Sequence, residues 1–434
     1  MENKDFSELS NIVKKAIDAN KNLVKKDNKY WYKLNYPTYD SKEIISAIQS
    51  LLNYETTMGK KVLKFEEKFS NYIKNKHSIF VNSGSSADLL AIKSIINSKE
   101  FNLKQGDKVL VPAITWPTQV WSIKQAGLEP VLFDCSIDTF NPDISTVPEN
   151  LLKEAKGIFI THILGTCCEM DELLNYCEKY KLVLLEDSCE ALGAKFKNKT
   201  LGTFGSIGTY SSFFSHHIMT MEGGIVTTNS ESLLDQLKLL RSHGWSRSIN
   251  ETNFKKYLHE HNLSPEDYKS MDKRYLFINE GFNFRPTEIN AAFGIEQLSK
   301  LDEFNKKRKN LSDIFYQNIN KSKNFNGPKI VKGCEPNFMG LMVSIKTKVK
   351  KSSYVLKLLD KKGIEARPLI AGNLLKHPAA KINSIKNYIK NLAGADFHND
   401  YSFYIGISPM HDISQINKLI SHLNEIDYII SNAN

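Results

Sequence analysis

Between residues 78 and 187 short apolar runs alternate with helical patterns, and this alternation restricts the chain more than any other feature. Strands are expected near 78–81, 108–112, 130–133, 157–161 and 182–186. Helical spacing fills 117–126, 148–155 and 169–180, and Leu89, Leu90, Ile92, Ile95 and Ile96 continue at helical spacing after the first strand. Such β-α alternation points to an α/β fold with a mainly parallel sheet covered on both faces. Ligands on these sheets gather beyond the carboxyl ends of the strands.

The segments that follow the strands carry the chemistry. After Ser78–Val81 comes Asn82-Ser83-Gly84-Ser85-Ser86-Ala87, a small-residue turn that opens a helix. Strand, turn and helix start aim backbone N–H groups and a positive dipole end at an anion such as phosphate. A serine-rich helix cap without a ligand gives the same pattern. Thr115-Trp116-Pro117-Thr118 follows the next strand, and Leu184-Leu185-Glu186-Asp187 places two acids at the end of another. Residues 211–229 read SSFFSHHIMTMEGGIVTTN: a β-type run, a turn with His216 and His217, a glycine pair, and a second strand at Ile225–Thr228. Neighbouring side chains on an extended turn point apart, so one of the two histidines faces a site beneath the turn and the other does not.

That stretch resembles the DegT/DnrJ/EryC1/StrS family of sugar aminotransferases, fold-type I enzymes that use pyridoxal phosphate (PLP). In them a lysine shortly before T-x-G-E-G-G forms a Schiff base with PLP, and the matching position here is His216. Imidazole cannot form that imine, so the resemblance implies a non-covalent cofactor, most simply pyridoxamine phosphate (PMP), and a histidine that titrates near neutral pH as acid–base catalyst. Ser215-His216-His217 and Met221-Glu222-Gly223-Gly224 are similar to the family's 3-dehydratase branch. Arg241-Ser242-His243-Gly244-Trp245-Ser246-Arg247 resembles that branch's R-x-H-G-W-x-R. Residues 281–288 resemble the family's G-[YF]-N-x-R-x-[ST]-E, with Thr287 and Glu288 also suited to a helix start.

Several roles are implied by this resemblance. Gly84, Ser85 and Ser211 would hold the cofactor phosphate. Trp116 would stack on the pyridine ring, with a core position as the alternative. Asp187 would pair with the ring nitrogen, and Glu190 would lie near the ring hydroxyl or the substrate. Met58, His243, Arg247 and Arg285 would meet the sugar or its diphosphate; Asn283, on the cofactor side, and Arg285 would reach a neighbouring subunit, which implies a homodimer with shared sites. Arg367 and Gly372-Asn373 resemble substrate-side elements. The architecture implied is aspartate aminotransferase-like, with an N-terminal helical extension (1–30), a large cofactor domain (31–325) and a small α+β domain (326–434). The reaction implied is loss of the C-3 hydroxyl from a GDP-linked 4-keto-6-deoxy sugar, with L-glutamate regenerating PMP. Two rivals are an aminotransferase that returns nitrogen to the sugar and an idle homologue that only binds a sugar nucleotide.

Bulk properties add exclusions. The chain has 434 residues and a net charge of +10, but its lysines are dispersed among acids, which argues for a solvated surface and against nucleic acid. No apolar run approaches a membrane span, and MENKDFSELSNIVKK has no apolar signal core, so no membrane partner and a cytoplasmic location are expected. The six cysteines show no metal spacing. Iron–sulfur relatives carry their cysteines after the region matching 241–250, where this chain has none before residue 334, so neither a metal nor an iron–sulfur cluster is expected. Residues 248–275 are polar and read as an insertion or flexible excursion.

Overall fold

The structure, a computed structural model, describes residues 3–24, 29–101, 103–347 and 350–432. Part of the N-terminal extension expected over 1–30, residues 1–2 and 25–28, lies outside the described residues. The chain opens with helices α1 (Asn3–Val24), α2 (Ser41–Leu52) and α3 (Lys60–Ile73). Then β1 (His77–Val81), α4 (Gly84–Asn97), β2 (Lys108–Pro112), α5 (Pro117–Gln125), β3 (Glu129–Phe133), α6 (Glu149–Glu154), β4 (Ala155–Thr161), α7 (Met170–Tyr180) and β5 (Val183–Asp187) alternate as the sequence implied. Two short strands, β6 (Lys195–Phe196) and β7 (Lys199–Thr200), precede β8 (Ile207–Ser211) and β9 (Gly224–Thr228).

Seven strands form one sheet in the order β1-β9-β8-β5-β4-β2-β3. Only β9 runs against its neighbours, because the β8–β9 connection is a turn with no crossover helix. Both faces are covered, as the burial of alternate residues shows. Ile79 and Val81 of β1 join α4 and helix α8 (Glu231–Arg241) in the main core. Phe80 between them points to the other face, against Val62, Phe65 and Phe69 of α3 and Ala291 and Leu301 of helix α10 (Glu288–Ile319). The β-type run expected from Ser211 onward ends at that residue instead: Ile207-Gly208-Thr209-Tyr210-Ser211 is the strand, and its small residues concealed it.

Residues 248–275 are a correction. They contain helix α9 (Glu251–Glu260) and a 3₁₀ turn at Pro265–Tyr268. Phe254, Tyr257 and Leu258 fall at helical spacing among the polar residues and pack with Leu239, Ile249 and Leu276, so the excursion is a folded cap with its own apolar centre.

Helix α10 leads to a second, antiparallel sheet of order β10-β12-β14-β13, made of β10 (Phe325–Asn326), β12 (Gly340–Ile345), β13 (Ala366–Pro368) and β14 (Ser402–Gly406); β11 (Cys334–Glu335) pairs instead with β6. Helices α11 (Ser352–Lys361), α12 (Pro378–Ile382), α13 (Ala393–Tyr401) and α14 (Ile413–Ser431) complete this unit. Trp31 and Tyr32 are tied to it: Trp31 Nε1 donates to the Lys362 carbonyl at 2.9 Å and the Tyr32 hydroxyl to that of Gly406 at 2.9 Å. Among the described residues no helix is long and apolar enough to cross a membrane.

Candidate active site

The carboxyl ends of β5 and β8, the start of α4 and the turn after β8 enclose a cavity of about 370 Å³. Strand periodicity decides which of the two acids ending β5 faces it. Glu186 points away and is consumed by the fold, accepting N–H groups of Gly202 (2.8 Å), Phe204 (2.6 Å) and Gly205 (2.6 Å) and contacting His162 Nε2 at 3.0 Å. Asp187 points into the cavity. It is buried, accepts the Cys189 N–H at 2.9 Å, and burial holds its carboxyl above the usual carboxylate range.

The start of α4 forms one wall. Ser83 caps the helix by accepting the Ser86 N–H at 3.1 Å, leaving Gly84 and Ser85 as first-turn residues at the positive end of the dipole. Glycine is required at two contacts. A Cβ on Gly84 would lie 2.8 Å from Ser211 Cβ, inside the cavity, and one on Gly224 would lie 2.1 Å from the Ser83 carbonyl oxygen. Thus the glycine pair lets the β8–β9 hairpin close onto the phosphate-type turn, and Gly84, Ser85 and Ser211 meet at the same wall.

His216 and His217 part as expected. His216 is half-buried and lines the cavity; its Nδ1 is buried without a hydrogen-bond partner, and burial pushes the imidazole down to about 4 while the nearby Ser211 backbone pulls it back up. His217 is fully buried, with Nε2 donating to the Asn337 carbonyl at 3.0 Å; burial and then the Arg308 cation hold it well below its ordinary range. Trp116 stands at the lip, 56% exposed, which removes the core alternative. Glu190 lines the cavity, accepts the Leu164 N–H at 2.9 Å, and is pushed up to about 8 by burial.

Sequence reasoning missed other lining residues. Asp88 follows Gly84 by one helical turn, a spacing that could have exposed it. Thr118 and Cys189 adjoin residues already singled out, and Thr118 Oγ1 is buried without a partner. Met339, Ile370 and Tyr404 come from the second sheet and its loops, and no local signal marks them.

Seven candidates lie elsewhere in this chain. Met58 packs against the Val62–Phe65 cluster, in a loop fixed by Glu288, whose carboxylate accepts N–H groups of Gly59 (2.9 Å), Lys61 (2.8 Å) and Val62 (2.9 Å). His243, Arg247, Asn283 and Arg285 gather around Trp245. The Arg247 and Arg285 guanidinium carbons lie 4.0 and 5.2 Å from its ring centre, and Arg285 Nε donates to Asn283 Oδ1 at 2.9 Å. The Asn82 N–H donates to the Phe284 carbonyl at 3.0 Å, so this cationic cluster sits at the β1 edge of the sheet. Arg367 and Asn373 are engaged locally, with Glu365 (2.7 Å) and Asp396 (2.7 Å).

Chemically, the cavity can hold a flat, cationic aromatic ring with an anionic tail. The tail meets the α4 terminus and two serine hydroxyls, Asp187 offers a charge to a ring N–H, and Trp116 offers a stacking face. No lysine is among the described residues that line it.

Comparisons with known proteins agree with this geometry. The model of the DegT/DnrJ/EryC1/StrS aminotransferase family matches residues 38–396. A GDP-4-keto-6-deoxy-D-mannose 3-dehydratase of Yersinia pseudotuberculosis is 33% identical over 90% of this chain and 99% of its own length. One from Escherichia coli O55:H7 is 34% identical over 91% of this chain and 98% of its own. Among solved structures, a histidine-to-asparagine mutant of GDP-4-keto-6-deoxymannose-3-dehydratase with bound GDP-perosamine superposes with a TM-score of 0.84 at 31% identity, covering 90% of this chain and 100% of that one. The same enzyme with a trapped PLP-glutamate geminal diamine gives 0.83 at 31% identity and the same coverage.

Proposed function

The chain belongs to the DegT/DnrJ/EryC1/StrS aminotransferase family, and from that membership we propose that it is a PMP-dependent 3-dehydratase of a GDP-linked 4-keto-6-deoxy sugar, GDP-4-keto-6-deoxy-D-mannose foremost. The observation that carries the reading is the side chain at position 216: an imidazole lines the same cavity as Asp187, and no lysine is among the lining residues described. A solved relative in which a histidine is changed to lysine and the serine just before it to asparagine supports the register. Here Ser215 precedes His216, whereas His217 is preceded by a histidine.

The residues fit the cofactor. Gly84, Ser85 and Ser211 would receive its phosphate at the α4 terminus, Trp116 would cover the ring, and Asp187 would hold the ring nitrogen in its protonated form. When bound, PMP supplies an amine to engage the sugar's keto group and a ring that accepts electrons. Its surroundings depress the His216 pKa to about 4, below the near-neutral value the sequence implied, so the imidazole is neutral at working pH, free to take a proton and, once it carries one, a strong acid toward the departing C-3 oxygen. Glu190, protonated up to about pH 8, offers a neutral hydrogen-bond donor beside the ring instead of a competing charge. L-glutamate would restore PMP in the same cavity, as the glutamate adduct in the solved relative supports.

The cationic cluster at His243, Arg247 and Arg285 suits a nucleoside diphosphate through the planar fork of arginine. Its place outside the chain's own cavity supports a homodimer in which Asn283, Arg285 and Met58 serve the neighbouring site. Work on a nucleotide sugar also supports a cytoplasmic location. The test is product analysis with PLP, L-glutamate and GDP-4-keto-6-deoxy-D-mannose. The reading requires one ammonia and one 2-oxoglutarate per 4-keto-3,6-dideoxy sugar formed; recovery of an amino sugar without ammonia overturns it.

A further inference from the structure

Asp187 is not the only carboxylate on the cavity floor. Asp88 lies four residues after Gly84 on α4, is 2% exposed, and lines the cavity beside Asp187. One oxygen from each acid and the Cys189 sulfur lie within 4.8 Å of one another. Thr209, registered opposite Asp187 on β8, donates its hydroxyl to Asp88 Oδ1 at 2.7 Å. The groups around the pair are Thr209 from β8, Thr118 from α5, Cys189 and Glu190 beyond β5, and His162 beyond β4, itself held at 3.0 Å from Glu186. No lysine or arginine is among the described residues lining this floor. Two carboxylates this close, in a dry place without a cation, do not both ionise.

We propose that Asp88 is a positioning residue for the partner of the cofactor's ring nitrogen: it holds the proton of the Asp88–Asp187 pair as a neutral acid, so that Asp187 alone presents a negative charge to the ring. This rests on reading the cavity as a pyridinium site. The partners differ in kind. Asp187 accepts the Cys189 N–H, which can only donate, and lies near His162, and both favour its anion; Asp88 meets the Thr209 hydroxyl, which can also accept from a neutral acid. Burial and the Asp187 charge, in that order, raise the Asp88 carboxyl well above the carboxylate range. With the proton on Asp88, one cationic ring neutralises the floor, whereas two ionised acids would leave an uncompensated charge after binding.

The experiment uses the purified full-length protein freed of cofactor, with PMP as the probe. At neutral pH the infrared difference spectrum of wild type minus Asp88→Asn should contain a protonated carboxylic-acid C=O band. PMP affinity, followed by absorbance, should fall about tenfold in Asp88→Ala and return to within about threefold of wild type in Asp88→Asn, which keeps the shape and cannot ionise. Circular dichroism separates misfolding of Asp88→Ala from loss of affinity. Absence of the band, or equal weakness of the alanine and asparagine variants, overturns the assignment. A wild-type protein that shows the band but does not bind PMP overturns the functional reading and leaves the shared proton standing.

Discussion

Exchanging the two adjacent histidines for asparagine, one at a time, separates chemistry from packing on a single turn. In His216→Asn the cavity loses a proton carrier and keeps a side chain of similar size and polarity. General acid–base help is worth roughly 100- to 10,000-fold, or about 2.7 to 5.4 kcal/mol at about 1.36 kcal/mol per tenfold, and that loss should appear in kcat. Stability should not fall. His216 is held at about 4, below its ordinary value, so it is neutral in both states above its unfolded pKa and costs the fold stability only as pH drops from the unfolded value toward the folded one. Removing the imidazole therefore leaves the melting temperature unchanged near neutral pH and flattens its decline on the acid side. His217→Asn should do the reverse. It breaks the bond from Nε2 to the Asn337 carbonyl at 3.0 Å in a closed interior, a loss of about 1 to 3 kcal/mol, while turnover per folded molecule stays within a fewfold of wild type. The assay is steady-state ammonia release beside thermal melts at several pH values. A His216→Asn protein that keeps more than a tenth of the turnover would refute the reasoning, as would a His217→Asn protein that folds normally yet is inactive.

Asp187→Asn should weaken PMP binding roughly 10- to 150-fold, the worth of one charge-assisted hydrogen bond, as read by absorbance titration; undiminished affinity would place the ring nitrogen elsewhere. Glu190 has a folded pKa raised to about 8, so the wild type should lose stability as pH rises from the unfolded value through that point. Glu190→Gln should flatten this alkaline loss in thermal melts, and an unchanged slope would show that the group is already ionised. Glu288→Ala leaves the N–H groups of Gly59, Lys61 and Val62 without their acceptor. Partial rewetting limits the cost to roughly 3 kcal/mol, measured by urea unfolding, and a change below about 1 kcal/mol would mean that water replaces the carboxylate freely.

Much of this site was legible because its parts follow strands directly. Asp187, Trp116 and the Gly84-Ser85 turn stand just beyond apolar runs that any reader of periodicity would mark, and the sheet carries them to one edge. His216 was separable from His217 by register and by the rule that adjacent side chains diverge. What the sequence concealed has two causes. Residues 248–275 are polar by composition, and their three apolar residues at helical spacing were outnumbered, although burial of Phe254, Tyr257 and Leu258 suffices to fold them. Tyr404, Ile370 and Met339 reach the cavity from a second sheet whose docking is a tertiary event with no local pattern. Asp88 falls between: helical spacing from Gly84 predicts its direction, while its meaning depends on Asp187 lying alongside.

The charges explain why a histidine can stand where relatives place a lysine. A lysine at position 216 would bring a cation into a cavity where burial drives Asp88 and Glu190 toward their neutral forms. Such an amine has an outlet in a covalent bond with the cofactor aldehyde. Once the amine is carried on the cofactor itself, a second one in the wall finds the floor acids engaged, since Asp187 serves the ring and Glu186 is spent on backbone N–H groups, which leaves the exposed Glu222 to meet it. A neutral imidazole avoids that cost and still exchanges a proton. His216→Lys should acquire a borohydride-reducible link to PLP, because forming the imine relieves the new amine of a charge that burial disfavours.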